Sequence, residues 1–403
     1  MEMVILDNWT KEPASSLIFG NSIDCGIGRQ VPGMWRRDVV ESLKEVAPGV
    51  VRFSGDCTVS VYDWENFVGL DEFMTLSRLA DFEPQICFNM VTSEPFKARC
   101  LVEYLNAPAT EGMGRRRALN GHEEPYGVRF FEMDNEPGRN WTSEEYAEKC
   151  VAFAREMRLV DPAIEFLMAA YSYELEELPK MLEIAGEDIQ YVIYRDGSPT
   201  FVKQVIAILD KYNEKKGTRV RIANTAWVSS SFSYEPFEDP EVPDGSWYCA
   251  LNGARRLLDY ISYGGEHFAM ANFNNMCNPL GQNVIEVTKD TCYLSCMGRV
   301  YAFFHRVFEP CTAAIVDSAA EGVFAQAAKP VGRDVTQLYI VNHTGKEQTL
   351  TLPEGQWRCV DGLKASTRLA KETEEEKCVS TYTQEPQGRR LVMQPFSLLC
   401  LES

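Results

Sequence analysis

From residue 17 to about 305, short apolar runs alternate with longer amphipathic stretches, the pattern of repeated strand–helix units around a parallel sheet. Strand-like runs fall at 17–20, 50–53, 85–88, 128–131, 165–168, 191–194, 220–223 and 267–270. Helical periodicity fills intervals such as 37–46, 143–160, 201–215 and 247–263. Eight such units predict an α/β fold, a (β/α)8 TIM barrel over 17–305. After His305 the texture changes to short alternating strands with turn signals, at 337–341, 349–352, 390–393 and 397–401, which predicts a C-terminal antiparallel β-sandwich over 306–403. Residues 3–6 are apolar with no barrel unit to join, so 1–16 are expected to lend that sandwich a strand. The charged run from Lys371 to Lys377 reads as a solvated loop.

Composition narrows the chemistry. The chain has 403 residues, 45% of them apolar, enough for one large domain and a smaller one with its own core. Its 40 basic against 59 acidic residues give a net charge of −19, which argues against nucleic acid and anionic membrane surfaces as partners and for a neutral substrate. The first residues show no basic n-region or apolar h-region, and no stretch approaches the roughly 18 apolar residues of a membrane span. Thirteen cysteines, an odd number without scaffold spacing, read as reduced thiols. A cytoplasmic protein is therefore expected. Cys292 and Cys296 fall four apart on an expected helix, where two small core residues are a better reading than half a metal site. No metal and no cofactor is expected.

The candidate chemistry lies at 130–137, Phe-Phe-Glu-Met-Asp-Asn-Glu-Pro. The apolar run would bury a strand, Pro137 would stop it, and Glu136 would be left at the tip of the fourth barrel strand. A carboxylic acid there can donate a proton, and Asn135 beside it offers an amide for a hydroxyl. That outline suits glycoside hydrolysis, which needs a second carboxylate across the scissile bond. The seventh strand should supply it, yet that strand leads through Asn224 and Thr225 to Ala226 and Trp227.

Three stretches, in order, resemble family 51 of the retaining barrel glycosidases, the α-L-arabinofuranosidases. Residues 118–128 lead into Asn135-Glu136-Pro137 much as that family leads into its acid/base glutamate. Arg52-Phe53-Ser54-Gly55-Asp56-Cys57, running on to Tyr62-Asp63-Trp64, is similar to its Arg-x-Pro-Gly-Gly and Tyr-x-Trp motif. Thr225-Ala226-Trp227 stands where the family reads Thr-Glu-Trp. The resemblance implies a retaining exo-glycosidase in which Glu136 is acid/base and the nucleophilic glutamate is replaced by Ala226. Intact neighbouring machinery favours a deliberate deletion, with a natural sugar-binding pseudoenzyme as the alternative. It further implies that Arg52 holds the nucleophile ionised (a structural salt bridge being the other reading), that Asn135 binds the sugar 2-hydroxyl (or caps the strand end), that Asp24 binds sugar hydroxyls, that Asn275 touches the sugar (or packs a loop), and that Tyr194 faces the nucleophile (or is a barrel-core tyrosine). Asp56 and Ser54 depart from the motif, with Cys57 following, so xylosides, glucans and other pentofuranosides stay open as substrates. Trp64, Trp141 and Trp227 are candidate sugar platforms, although each alone is more often core than platform. The expected partner is a carbohydrate glycoside, with a homo-oligomer in which 229–246 packs on a neighbour or roofs the pocket.

Overall fold

A computed structural model describes residues 2–24, 35–65, 69–229, 242–277, 283–318 and 320–403, without the side chains of Asp24, Asp56, Cys57 and Thr58. Eight strands close a barrel: β2 (Gly20–Asp24), β3 (Val50–Gly55), β4 (Glu83–Phe88), β5 (Phe130–Met133), β6 (Glu165–Met168), β7 (Tyr191–Ile193), β8 (Arg221–Trp227) and β9 (Phe268–Asn274), preceded in the chain by β1 (Met3–Ile5). Strands β3 to β8 pair in parallel, with Arg52 level with Gln85 and Cys87 level with Glu132. The fold is the TIM barrel with a C-terminal antiparallel region, as the periodicity predicts.

Boundaries moved where local chemistry outweighed apolarity. The run at 17–20 is mostly a 3-10 turn, Ser16–Phe19, because the Ser15 side chain accepts the Leu17 N–H at 3.3 Å; Ile18 and Phe19 are apolar because they are packed, not because they are extended. β5 starts at Phe130 rather than 128. The peptide of Val128 is taken by the Asn106 side chain, which bonds its N–H and its carbonyl at 2.8 Å each. β8 and β9 continue beyond their apolar signal through the buried polar residues Asn224, Thr225 and Asn272. Helices Arg37–Val46, Ser143–Arg158, Pro199–Lys216 and Trp247–Ser262 fall within two residues of expectation. Pro199 opens one of them, and Gly217, at φ +67°, closes it in the left-handed conformation that glycine adopts without strain.

Cys292 and Cys296 do not share a helix. Cys292 opens a short strand, Cys292–Leu294, that pairs antiparallel with Ile285–Val287, and Cys296 is the first residue of the helix Cys296–Val307. Ser295 separates the two elements as the helix cap, accepting the Gly298 N–H at 3.0 Å.

The chain divides into two compact units, 22–30 with 50–225, and 1–21 with 31–49 and 226–403, so the division does not follow the expected domain boundary at 305. In the second, β1 joins an antiparallel seven-stranded sheet by pairing with Cys311–Ser318, as the apolar 3–6 run suggested. That sheet and the pair Gln348–Thr351 and Arg390–Met393 share a core of Leu338, Ile340, Leu350, Trp357, Leu391 and Leu401. The charged run at 371–377 is not wholly solvated. Glu372 is 4% exposed, paired with Arg299 at 3.3 Å and accepting the Val379 N–H at 3.1 Å. Among the described residues no helix is long and apolar enough to cross a membrane.

Ser295→Ala removes the side-chain acceptor of a buried helix N-terminus. It is expected to lower unfolding free energy by about 1–2 kcal/mol in urea titration, with the slope unchanged.

Candidate active site

The site grows from one ion pair. Arg52 on β3 and Glu132 on β5 are each fully buried and meet in a two-pronged contact, Nε to Oε2 and Nη2 to Oε1, both 2.7 Å. Gln85 Nε2 donates to Oε2 at 2.7 Å and Thr225 Oγ1 to Oε1 at 3.2 Å, so the carboxylate receives four donors. Burial, the largest single influence, pulls the Arg52 guanidinium toward losing its proton, but the charge and hydrogen bonds of Glu132 together with Cys87 and Tyr171 outweigh it and the net shift is upward. Burial, reinforced by Glu132, pushes the neighbouring Cys87 thiol up.

Beyond Met133 the backbone turns twice into the left-handed region, at Asp134 (φ +63°) and Glu136 (φ +53°). Neither is glycine, so each turn costs about 1–2 kcal/mol and must be held by neighbours. Asp134 is held through its carboxylate, which accepts the N–H groups of Met90 and Asn135, both at 2.7 Å, and Ser60 Oγ at 3.3 Å. Burial raises its pKa against the pull of those bonds. Glu136 is held by its own N–H, which donates to Tyr171 Oη at 2.8 Å. The following 3-10 turn, Pro137–Arg139, lies against Ala170–Ser172; a Cβ on Gly138 would sit 2.7 Å from the Ser172 carbonyl oxygen.

Asn135 and Glu136 emerge from this turn with their orientation fixed. Asn135 Oδ1 accepts three donors: Arg195 Nη2 at 2.7 Å, Tyr171 Oη at 3.0 Å and Arg52 Nη2 at 3.1 Å. Only the carbonyl end of an amide can accept, so Nδ2 is turned away from the three as a donor. The Glu136 carboxylate stands between two guanidiniums. Arg195 Nη1 bonds Oε1 at 3.3 Å, and Arg139 forms a close ion pair with Oε2 whose angle is poor for a hydrogen bond. The Arg195 guanidinium carbon sits over the Tyr171 ring, 3.9 Å from its centre.

Other expected site residues are distributed differently. Arg52 is fully buried in its ion pair with Glu132, and among the described residues its Nη2 also reaches Asn135 at 3.1 Å. Tyr194 is 4% exposed and packs edge-on against Phe201 of the helix Pro199–Lys216, so strand alternation turns it to the helix layer and gives the site Arg195 instead. Trp227 is 1% exposed, wedged edge-on by Phe273 and Tyr260, and offers no face to a sugar. Trp141 stacks on Tyr146 and lines an open hollow with Glu145, Glu148 and Lys149. Trp64 separates two hollows of about 290 and 330 Å³, one floored by Ile86, Phe88 and Leu101, the other walled by Tyr104, Asn120 and His122; neither is lined by Glu136. Asn275 is buried one residue past β9, and Ala226 is half-buried near the end of β8. Asp24 ends β2, and Asp56 and Cys57 begin a 3-10 turn; their side chains lie outside the described residues, as does 230–241 of the expected roof.

The sequence reading missed Glu132, Tyr171 and the role of Arg195. Glu132 had a signal: it is the only charge in 130–133, as Arg52 is in 50–53, and a charge buried alone implies a partner. Tyr171 had none, since it stands in a turn after β6.

These features define a barrel protein with an acid-bearing strand end beside an oriented amide. Residues 61–214 match the family model described as alpha-L-arabinofuranosidase 1 domain. Alpha-L-arabinofuranosidase C of Emericella nidulans is 30% identical over 38% of this chain and 35% of its own length. A Bacillus subtilis relative named intracellular exo-alpha-(1->5)-L-arabinofuranosidase 1 is 27% identical over 39% of this chain and 38% of its own. The chain thus spans little more than a third of the length of the curated relatives it matches. The fold is shared along the whole chain with an alpha-L-arabinofuranosidase from Thermotoga maritima (TM-score 0.82, 19% identity, 100% and 99% coverage). It is shared likewise with a family 51 alpha-L-arabinofuranosidase from Bifidobacterium longum (TM-score 0.80, 16% identity, 97% and 96% coverage). The chain is α-L-arabinofuranosidase-like.

Glu132→Ala leaves the Arg52 charge buried and unpaired. It is expected to cost about 3–5 kcal/mol of stability, read as a fall in the urea midpoint.

Proposed function

We propose that this chain has the architecture of a retaining exo-glycoside hydrolase acting on α-L-arabinofuranosides, with its nucleophilic glutamate replaced by Ala226. The observation that carries the reading is the strand end itself: a carboxylate at Glu136 beside an Asn135 amide whose NH2 is left to donate. Glu136 would protonate the leaving-group oxygen and then activate water, while Asn135 would hold the sugar 2-hydroxyl, a contact that strengthens in the transition state. The arabinofuranosidase match over 61–214 supports the substrate class, and the intracellular Bacillus relative supports a cytoplasmic place. A glycan-binding pseudoenzyme is the second reading, and Ala226, which cannot attack an anomeric carbon, is what favours it.

Ala226→Glu assayed on aryl-glycosides separates the readings. Turnover of the α-L-arabinofuranoside is expected; turnover of another sugar alone would reassign the substrate, and no turnover of any would leave the binding protein. In that background, adding Glu136→Ala should slow glycosides with poor leaving groups at least about tenfold more than activated aryl-glycosides, which need little protonation. Equal losses would remove Glu136 from the acid role.

A further inference from the structure

We propose that Arg195, acting with Tyr171, is a positioning residue for this site: it sets Asn135 as a hydroxyl-binding donor and fixes the direction of the Glu136 carboxylate. The inference rests on the glycoside reading for its ligand, but not for its geometry.

Arg195 directs two nitrogens at the strand end. Nη2 bonds Asn135 Oδ1 at 2.7 Å and Tyr171 Oη at 2.9 Å, while Nη1 bonds Glu136 Oε1 at 3.3 Å. The guanidinium carbon packs over the Tyr171 ring at 3.9 Å from its centre, and the Arg195 backbone carbonyl is held by Asn224 Nδ2 at 3.1 Å. Tyr171 completes a closed circuit. Its hydroxyl donates to Asn135 Oδ1, and its oxygen accepts from both Arg195 and the Glu136 backbone N–H. A planar fork with donors at fixed spacing can hold an amide oxygen and a carboxylate oxygen together; an ammonium, a single point charge, cannot.

The circuit decides function through the amide. Asn135 in the opposite flip would aim its NH2 at three donors, including two cations, so that flip is excluded while Arg195 and Tyr171 stand. With Oδ1 saturated, Asn135 offers the ligand N–H groups only. It therefore recognises an acceptor such as a sugar hydroxyl oxygen. Arg139 cannot substitute, because its side chain is 67% exposed and contacts only the far oxygen of Glu136 among the groups of this cluster.

The test uses Arg195→Lys, with Tyr171→Phe as a second variant should the first fold poorly, in the chain as it stands. Binding of methyl α-L-arabinofuranoside and of its 2-deoxy counterpart is measured by calorimetry, and the crystal structure of each variant is determined. The parent should prefer the 2-hydroxy ligand by about tenfold, the worth of one good hydrogen bond. Either variant should shrink that preference to within about twofold while leaving affinity for the 2-deoxy ligand unchanged, and its structure should show Asn135 rotated or Glu136 displaced. A merely structural arginine would weaken both ligands equally, and that result overturns the proposal. So does a variant structure in which Asn135 and Glu136 keep their places. If the parent binds neither ligand, the arabinofuranoside reading fails, and the crystal structures alone decide the positioning role.

Discussion

A carboxylate and a guanidinium with no access to water, Glu132 and Arg52, are the constraint around which the site is arranged. Removing two charges from solvent is costly, and their attraction offsets that cost only when geometry is good and the remaining lone pairs are met. The carboxylate meets both: the contact is two-pronged, and Gln85 and Thr225 supply the remaining donors, while Arg52 Nη1 has no hydrogen-bond partner among the described residues. The pair thus ties β3, β4, β5 and β8 at one level. It also fixes the phase of β5, because a strand with Glu132 facing inward can present only certain residues three and four positions later.

From that level the order is transmitted upward through shared atoms. Arg52 Nη2 touches both Glu132 and Asn135, and Asn135 Oδ1 also receives Arg195 and Tyr171. Two left-handed residues, Asp134 and Glu136, are the local cost of turning the strand end toward its partners, and the hydrogen bonds of Met90, Ser60 and Tyr171 hold them. The Glu136 carboxylate is therefore fixed by two layers, a buried salt bridge below and a partly buried arginine–tyrosine circuit beside it.

How much of this was legible depended on whether local or distant groups decided each part. Eight apolar runs were enough for the barrel, since strand periodicity is a property of neighbouring residues. Glu136 was legible because Pro137 and the preceding apolar run mark a strand end. Tyr194 and Trp227 stayed open between core and site for one reason: an aromatic residue at a strand end has two faces to choose between, and only packing on Phe201 or on Phe273 and Tyr260 chooses. Cys292 and Cys296 failed similarly, because pairing with Ile285–Val287 made a strand of residues whose spacing also fits a helix.

The sequence by itself determined the alternation of strands and helices, the acid at position 136, the amide beside it and the methyl group at position 226. These are properties of residue type and order. The tertiary structure decided that the side-chain oxygen of Asn135 is saturated, that Arg52 is paired with Glu132, and that Arg195 and Tyr171 stand against Asn135 and Glu136. Those facts depend on side chains from β3, β5, the turn after β6 and the end of β7, brought within hydrogen-bond distance only when the barrel strands pair. Hydrogen bonds are short and directional, so their partners are set by the fold and not by proximity along the chain.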